Sequence, residues 1–171
     1  MSTKPILFLD FDGVLNSWAF LKRARKAEGR NVSLWNNLDP IAVRRLNYLV
    51  KMSRCDVVVS STWRTMKEHD TAEKLQDILV SFGYRHEVKG ITPRLGCQAH
   101  RDLGWEKCCD GHRGSEIKAY LDGLPEKVTN IAILDDDSDM NPLLHRHVKT
   151  NMDFGLLMTH VWKAHALMSI Y

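Results

Sequence analysis

Three short apolar runs, each breaking off into polar residues, constrain this chain more than any other feature. Ile6-Leu7-Phe8-Leu9 runs into Asp10-Phe11-Asp12-Gly13, and Asp56-Val57-Val58-Val59 into Ser60-Ser61-Thr62-Trp63-Arg64. Ile131-Ala132-Ile133-Leu134 runs into Asp135-Asp136-Asp137-Ser138-Asp139. Runs this apolar, without alternation, read as strands buried on both faces of a parallel sheet. Helical patterns separate them: 39–52 with Ile41, Val43, Leu46, Leu49 and Val50, 69–82 with Leu75, Ile78, Leu79 and Phe82, and 114–124 with Ile117, Tyr120 and Leu121. Strands alternating with helices predict an α/β fold, a doubly wound parallel sheet. In such sheets ligands gather at the carboxyl ends of the strands, where all three runs deliver their polar groups.

The punctuation agrees. Asp39-Pro40 supplies an N-cap and a first-turn proline, and Gly83 stops the helix over 69–82. The strands are expected at 6–10, 56–60 and 129–134, with shorter ones near 88–91 and 147–150. Trp18 to Glu28 has helical character, and Thr159 is expected to cap a final helix. No internal repeat or long linker divides the 171 residues, which fit a single domain.

Chemistry begins at Asp10 and Asp12. Residues i and i+2 of a strand point to the same side, so the two carboxylates can converge while Gly13 frees the turn. Two like charges that close need a cation, and oxygen ligands alone favour magnesium over zinc. An isolated Asp-x-Asp-Gly reads equally well as an ordinary strand-ending turn. Its company at the ends of the other two strands favours the site.

In order and character these segments resemble the haloacid dehalogenase (HAD) superfamily of aspartate-nucleophile phosphatases. The resemblance runs through Asp10-x-Asp12-Gly13-Val14-Leu15, Ser61, Arg113 and Asp135-Asp136 with Asp139. The wording Leu9 to Asn16, Ser61-Thr62-Trp63-Arg64, Arg113-Gly114-x-x-Ile117 and Asp153-Phe154-Gly155-Leu156 is similar to HAD domains attached to RNA repair proteins, and more distantly to the phosphatase domain of phage polynucleotide kinase. Such a resemblance implies a Rossmann-like sheet over 1–171 with a minimal cap inserted at about 16–38. It implies Asp10 as nucleophile, Asp12 as general acid and then base, and Ser61 and Arg113 as partners of the transferring phosphoryl group. Magnesium would be held by Asp10, the backbone carbonyl of Asp12, and Asp135, while Asp136 or Asp139 orients its waters or the Arg113 cation. The family usually carries Lys where Arg113 stands; Lys118, one helical turn later, is read as a solvated helix residue. Among Ser60, Ser61 and Thr62 the choice falls on Ser61, with Ser60, Thr62 and Arg64 as further substrate contacts.

A small cap implies an open site suited to bulky substrates such as a nucleotide, a phosphorylated nucleic-acid end or a phosphoprotein, of which the first two are expected. Lys22, Arg23, Arg25, Lys26 and Arg30, five cations against a whole-chain net charge of +3, lie in that insertion beside Trp18, Phe20 and Trp35. Beside a phosphatase site they suit a phosphodiester backbone and an unstacked base; alone they would read as a solvated basic helix face. A small-metabolite phosphatase or a phosphotransferase would keep the same catalytic residues, whereas an inert binding module would not need them. No apolar run approaches the roughly 20 residues of a membrane span, so a cytoplasmic, membrane-free protein is expected. Cys55, Cys97, Cys108 and Cys109 are read as reduced thiols. The spacings among Cys97, His100, Cys108, Cys109 and His112 can make a tetrahedral zinc site, but their order and the short gap match no standard finger, which favours free thiols and surface histidines.

Overall fold

The computed structural model describes residues 3–29, 32–33, 37–95 and 112–169. Five parallel strands form one sheet: β1 (Ile6–Leu9), β2 (Asp56–Val59), β3 (Val88–Ile91), β4 (Ile131–Asp135) and β5 (His147–Lys149), in the order β3-β2-β1-β4-β5. Among the described residues five helices accompany them: α1 (Trp18–Glu28), α2 (Pro40–Ser53), α3 (Ala72–Ser81), α4 (Arg113–Asp122) and α5 (Met158–Met168), with short 3₁₀ turns at Thr62–Thr65 and Leu144–Arg146. The winding runs outward from β1 to β3, then returns through α4 to β4 on the other side of β1. The switch in direction therefore falls between β1 and β4, where open α/β sheets form their crevice.

Alternation along the strands sorts the core into two layers. Leu7, Leu9, Val57, Val59, Ala132 and Leu134 pack with Leu46 and Leu49 of α2, Leu75 and Leu79 of α3, and Val161 and Ala164 of α5. Ile6, Phe8, Val58, Ile131 and Ile133 face the other way, against Ile117 of α4, with Tyr120 edge-on to Phe8 at 5.8 Å. Each fully buried Val, Leu or Ile contributes about 1.5–3 kcal/mol of burial, which explains why both faces read as continuously apolar. Across from Phe8, Gly90 of β3 lets α4 approach; a Cβ there would stand 3.0 Å from the Tyr120 hydroxyl.

Local signals set most helix ends. Asp39 caps α2, accepting from Ile41 N at 2.8 Å ahead of Pro40. Thr71 caps α3 and Ser17 caps α1. Gly83 turns the chain after α3 at φ 92°. The last helix is a correction: Thr159 lies inside α5, whose N-cap is Leu157, and the His160 Nδ1 accepts from the Leu157 N–H at 3.1 Å. A hydroxyl near a helix start carries no signal of which residue precedes the first turn, and here a histidine three residues on satisfies the free amide instead. None of the helices among the described residues is long and apolar enough to cross a membrane.

Candidate active site

The parallel registers bring the strand ends to one level. Leu9 pairs with Val59 on one side and Leu134 on the other, and the ladder continues through Asp10 N to Leu134 O (3.0 Å), Ser60 N to Leu9 O (2.9 Å) and Thr92 N to Val59 O (3.0 Å). Asp10 and Asp135 thus leave neighbouring strands side by side, and adjacent strands are only about 4.8 Å apart.

Both acids are buried, and both are held above the ordinary carboxylate range. Burial is the first cause for Asp10, opposed by the Arg113 charge and a hydrogen bond with Ser61. Burial also leads for Asp135, with the Asp10 charge adding to it. One Asp135 oxygen accepts from Asp137 N at 2.9 Å. Its other oxygen and Asp10 Oδ1 have no hydrogen-bond partner. Buried orphaned carboxylate oxygens are costly and call for an ion or a substrate. Single oxygens of Asp10, Asp135 and Asp136 lie within 4.8 Å of one another. Three carboxylates offering oxygen ligands at one buried spot are a donor set that fits a hard divalent cation.

Arg113 is the first residue of α4 and is buried against the same two oxygens, with Nε 3.5 Å from Asp135 Oδ2 and Nη1 3.9 Å from Asp10 Oδ1. Burial opposes its charge, but Asp10, Asp135, Glu116 and Asp139 outweigh burial and raise its pKa. Its helix end is pinned by Asp139, whose Oδ2 accepts from Arg113 N at 2.9 Å and whose backbone carbonyl accepts from Gly114 N at 3.1 Å. Lys118 instead makes an exposed pair with Asp122.

The turn after β1 is built around Asp12. Gly13 sits at φ 67°, and a Cβ there would lie 2.3 Å from Asp136 Cγ, so glycine is required by backbone and by neighbour alike. Asn16 Nδ2 donates to Asp12 Oδ1 at 2.7 Å, while its Oδ1 accepts from Gly13 N at 3.1 Å. On the other side Trp63 Nε1 donates to Asp12 Oδ2 at 2.9 Å. Ser61 is buried, helps hold the Asp10 pKa down and accepts from Trp63 N at 3.3 Å; Ser60 is buried with its hydroxyl unpartnered, and Thr62 is exposed.

Arg64 stands apart from the other sequence-derived contacts. Its guanidinium donates to the carbonyls of Thr92 at 3.1 Å, of Ser61 at 2.6 Å and of Ser60, and pairs with Glu116 in the interior. It braces the strand ends from beneath. In the insertion Lys22, Arg23, Arg25 and Lys26 are all exposed, Arg23 pairing with Asp39 at 3.1 Å and Arg25 Nε donating to Val32 O. Trp18 and Phe154 are exposed at 48% and 63%. Their segments adjoin through Trp18 N to Met152 O (2.9 Å) and Ala19 N to Asp153 O (3.0 Å), two residues beyond Asn16. Arg30, Trp35, Cys97, His100, Cys108 and Cys109 lie outside the described residues.

Sequence reasoning assigned no role to Asn16, Trp63, Gly114 or Glu116. Trp63 stood inside a quoted motif, so its position was a signal, but its bond to Asp12 spans 51 residues and no local pattern encodes it.

No curated protein and no solved structure matches the chain. A family model described as the HAD domain in Swiss Army Knife RNA repair proteins matches residues 6–161. With a five-stranded parallel sheet and an aspartate cluster at its switch point, the chain belongs to that HAD-domain family.

Proposed function

We propose that this domain is a magnesium-dependent phosphatase that works through an aspartyl phosphate on Asp10 and acts on the phosphorylated end of a nucleic acid. The observation that carries the reading is the buried Asp10 carboxylate, one oxygen without a hydrogen-bond partner, set between the Ser61 hydroxyl and the Arg113 guanidinium. Asp10 attacks phosphorus as the bond to the leaving oxygen breaks, and Asp12 gives that oxygen a proton. Water then attacks the aspartyl phosphate, Asp12 takes its proton, and Asp10 departs with inorganic phosphate released. Ser61 and Arg113 meet charge on the phosphoryl oxygens, Arg113 with two fixed N–H groups where a lysine would offer a point charge. Asp10, Asp135, Asp136 and the Asp12 carbonyl would hold Mg²⁺, which when bound supplies Lewis-acid neutralisation of the phosphoryl oxygens.

The nucleic-acid end is favoured by what surrounds the turn. Residues 16–38 read as a minimal cap, leaving the site open to a bulky substrate. Lys22 and Lys26 offer exposed cations for a phosphate backbone, and Trp18 and Phe154 offer exposed rings for an unstacked base. Arg23 and Arg25, tied to their own chain, serve that surface by holding α1 in place.

Purified protein with Mg²⁺ is to be assayed on mononucleotides, on 5′- and 3′-phosphorylated oligonucleotides and on a panel of small phosphate esters, with and without EDTA. Phosphate release from oligonucleotide ends, abolished by EDTA, is expected. Replacing Lys22 and Lys26 with Ser should raise KM for oligonucleotides and flatten its salt dependence. Preference for small sugar phosphates would move the substrate to a metabolite, and activity indifferent to EDTA would refute the metal.

A further inference from the structure

We propose that Trp63 is a positioning residue for the proton transfer carried by Asp12, acting with Asn16 as a two-sided clamp on its carboxyl group. The inference rests on the phosphatase reading and goes beyond it, to which group sets the geometry of the acid. Asp12 sits on a surface turn and is only half-buried. A short side chain there is free to point elsewhere, yet a general acid must lie within hydrogen-bond reach of the leaving oxygen. Two N–H donors hold it, Trp63 Nε1 on Oδ2 at 2.9 Å and Asn16 Nδ2 on Oδ1 at 2.7 Å. The indole N–H can only donate, and the Asn16 amide is fixed by the Gly13 N–H on its oxygen. Neither clamp therefore supplies the proton; both fix where the carboxyl stands.

Trp63 is itself immobile. It is fully buried, edge-on to Phe11 with ring centroids 5.2 Å apart and stacked on His69 at 5.6 Å. Its backbone N–H is held by Ser61 Oγ, whose hydroxyl also helps hold the Asp10 pKa down. A single 3₁₀ turn leaving β2 thus serves both carboxylates of the neighbouring β1 loop, the nucleophile through Ser61 and the acid through Trp63. Because β1 and β2 are in register, the spacing between the two side chains is carried over to the spacing between nucleophile and acid.

The proton matters in proportion to the leaving group. When Asp10 displaces an alkoxide, the leaving oxygen takes the bonding electron pair and needs the Asp12 proton; nitrophenolate departs with its charge and needs it far less. The parameter kcat/KM reads the steps up to that departure. Trp63 should be replaced by benzothienylalanine, an isostere with sulfur in place of the indole N–H, and separately by Phe. Both variants should lower the ratio of kcat/KM for an alkyl phosphate to that for p-nitrophenyl phosphate by about tenfold or more, general acid catalysis being worth at least that much. In uniformly ¹⁵N-labelled protein, Asp12→Asn should also shift the Trp63 indole N–H cross-peak, identified by its loss in Trp63→Phe. An unchanged ratio, or an indole peak blind to Asp12→Asn, overturns the positioning role alone. Wild-type turnover of neither ester, nor of a phosphorylated oligonucleotide, overturns the phosphatase reading and the role with it.

Discussion

Gly114→Ala is the substitution that most sharply separates helix propensity from docking. In an exposed helix the change stabilises by about 1 kcal/mol. Here an added Cβ would stand 2.3 Å from Asn141 O and 2.4 Å from both Met140 C and Met140 O, all backbone atoms that cannot turn aside. Relief requires the start of α4 to back away by on the order of 1 Å, the shortfall from ordinary contact. That movement breaks the bonds from Arg113 N and Gly114 N to Asp139 at 2.9 and 3.1 Å. Overpacking costs about 1–3 kcal/mol and two hydrogen bonds about 1 kcal/mol each, so the net loss is about 2–4 kcal/mol after the propensity gain. Arg113 moves with the backbone, and a 1 Å displacement of a positioned charge lowers kcat by about a hundredfold. Urea unfolding should show a lower midpoint at unchanged slope, with kcat measured under native conditions. Gly123→Ala is the control, since its Cβ would meet only Tyr120 O at 3.5 Å and Ala119 O at 3.6 Å. A Gly114→Ala protein as stable and active as wild type would refute the docking argument.

Three further outcomes follow from the same geometry. Arg113→Ala should lower kcat by about a hundredfold or more, whereas Lys118→Ala, with its exposed partner Asp122, should do little; the reverse result would put the phosphoryl cation one helical turn later. Glu116→Gln leaves the buried Arg64 charge without its counter-ion and should cost about 3–5 kcal/mol in urea unfolding, partly recovered by Arg64→Met in the double variant; an unaltered midpoint would deny the pair its bracing role. Folded Asp10, raised to about 6, and Asp135, raised further, keep protons that the unfolded chain releases near about pH 4. Without metal, the stability this confers is full below that pH and is lost as pH rises through the folded values, so Tm should fall relative to Asp135→Asn between about pH 5 and about pH 8, with Mg²⁺ restoring it. A constant difference between the two proteins across that range would contradict the burial of both charges.

The strands and their polar ends were legible in the sequence because a strand buried on both faces has to be apolar throughout, and Asp10, Ser60 and Asp135 interrupt that pattern where the sheet stops. Asp39-Pro40 marked the start of α2 for an equally local reason. From sequence Arg64 reads as facing substrate, because a cation after a strand looks the same whether it points outward or back into the fold; its partner Glu116 is 52 residues away. Trp63 and Asn16 were hidden likewise. The Trp63 bond to Asp12 exists only once β1 and β2 are in register, and Gly114 shows its purpose only against the Met140–Asn141 backbone. Thr159 shows the limit of capping signals, since His160 does the work from inside the first turn.

The central claim is that Asp10 carries the phosphoryl group. Wild-type protein mixed with Mg²⁺ and a phosphorylated oligonucleotide, then quenched in acid and digested, should yield a phosphate adduct on the peptide containing Asp10, labile to hydroxylamine as an acyl phosphate is. Asp10→Asn should yield no adduct and no turnover while keeping the wild-type unfolding midpoint or exceeding it, since one buried charge is gone. Turnover surviving in Asp10→Asn, or an adduct on any other residue, would contradict the account.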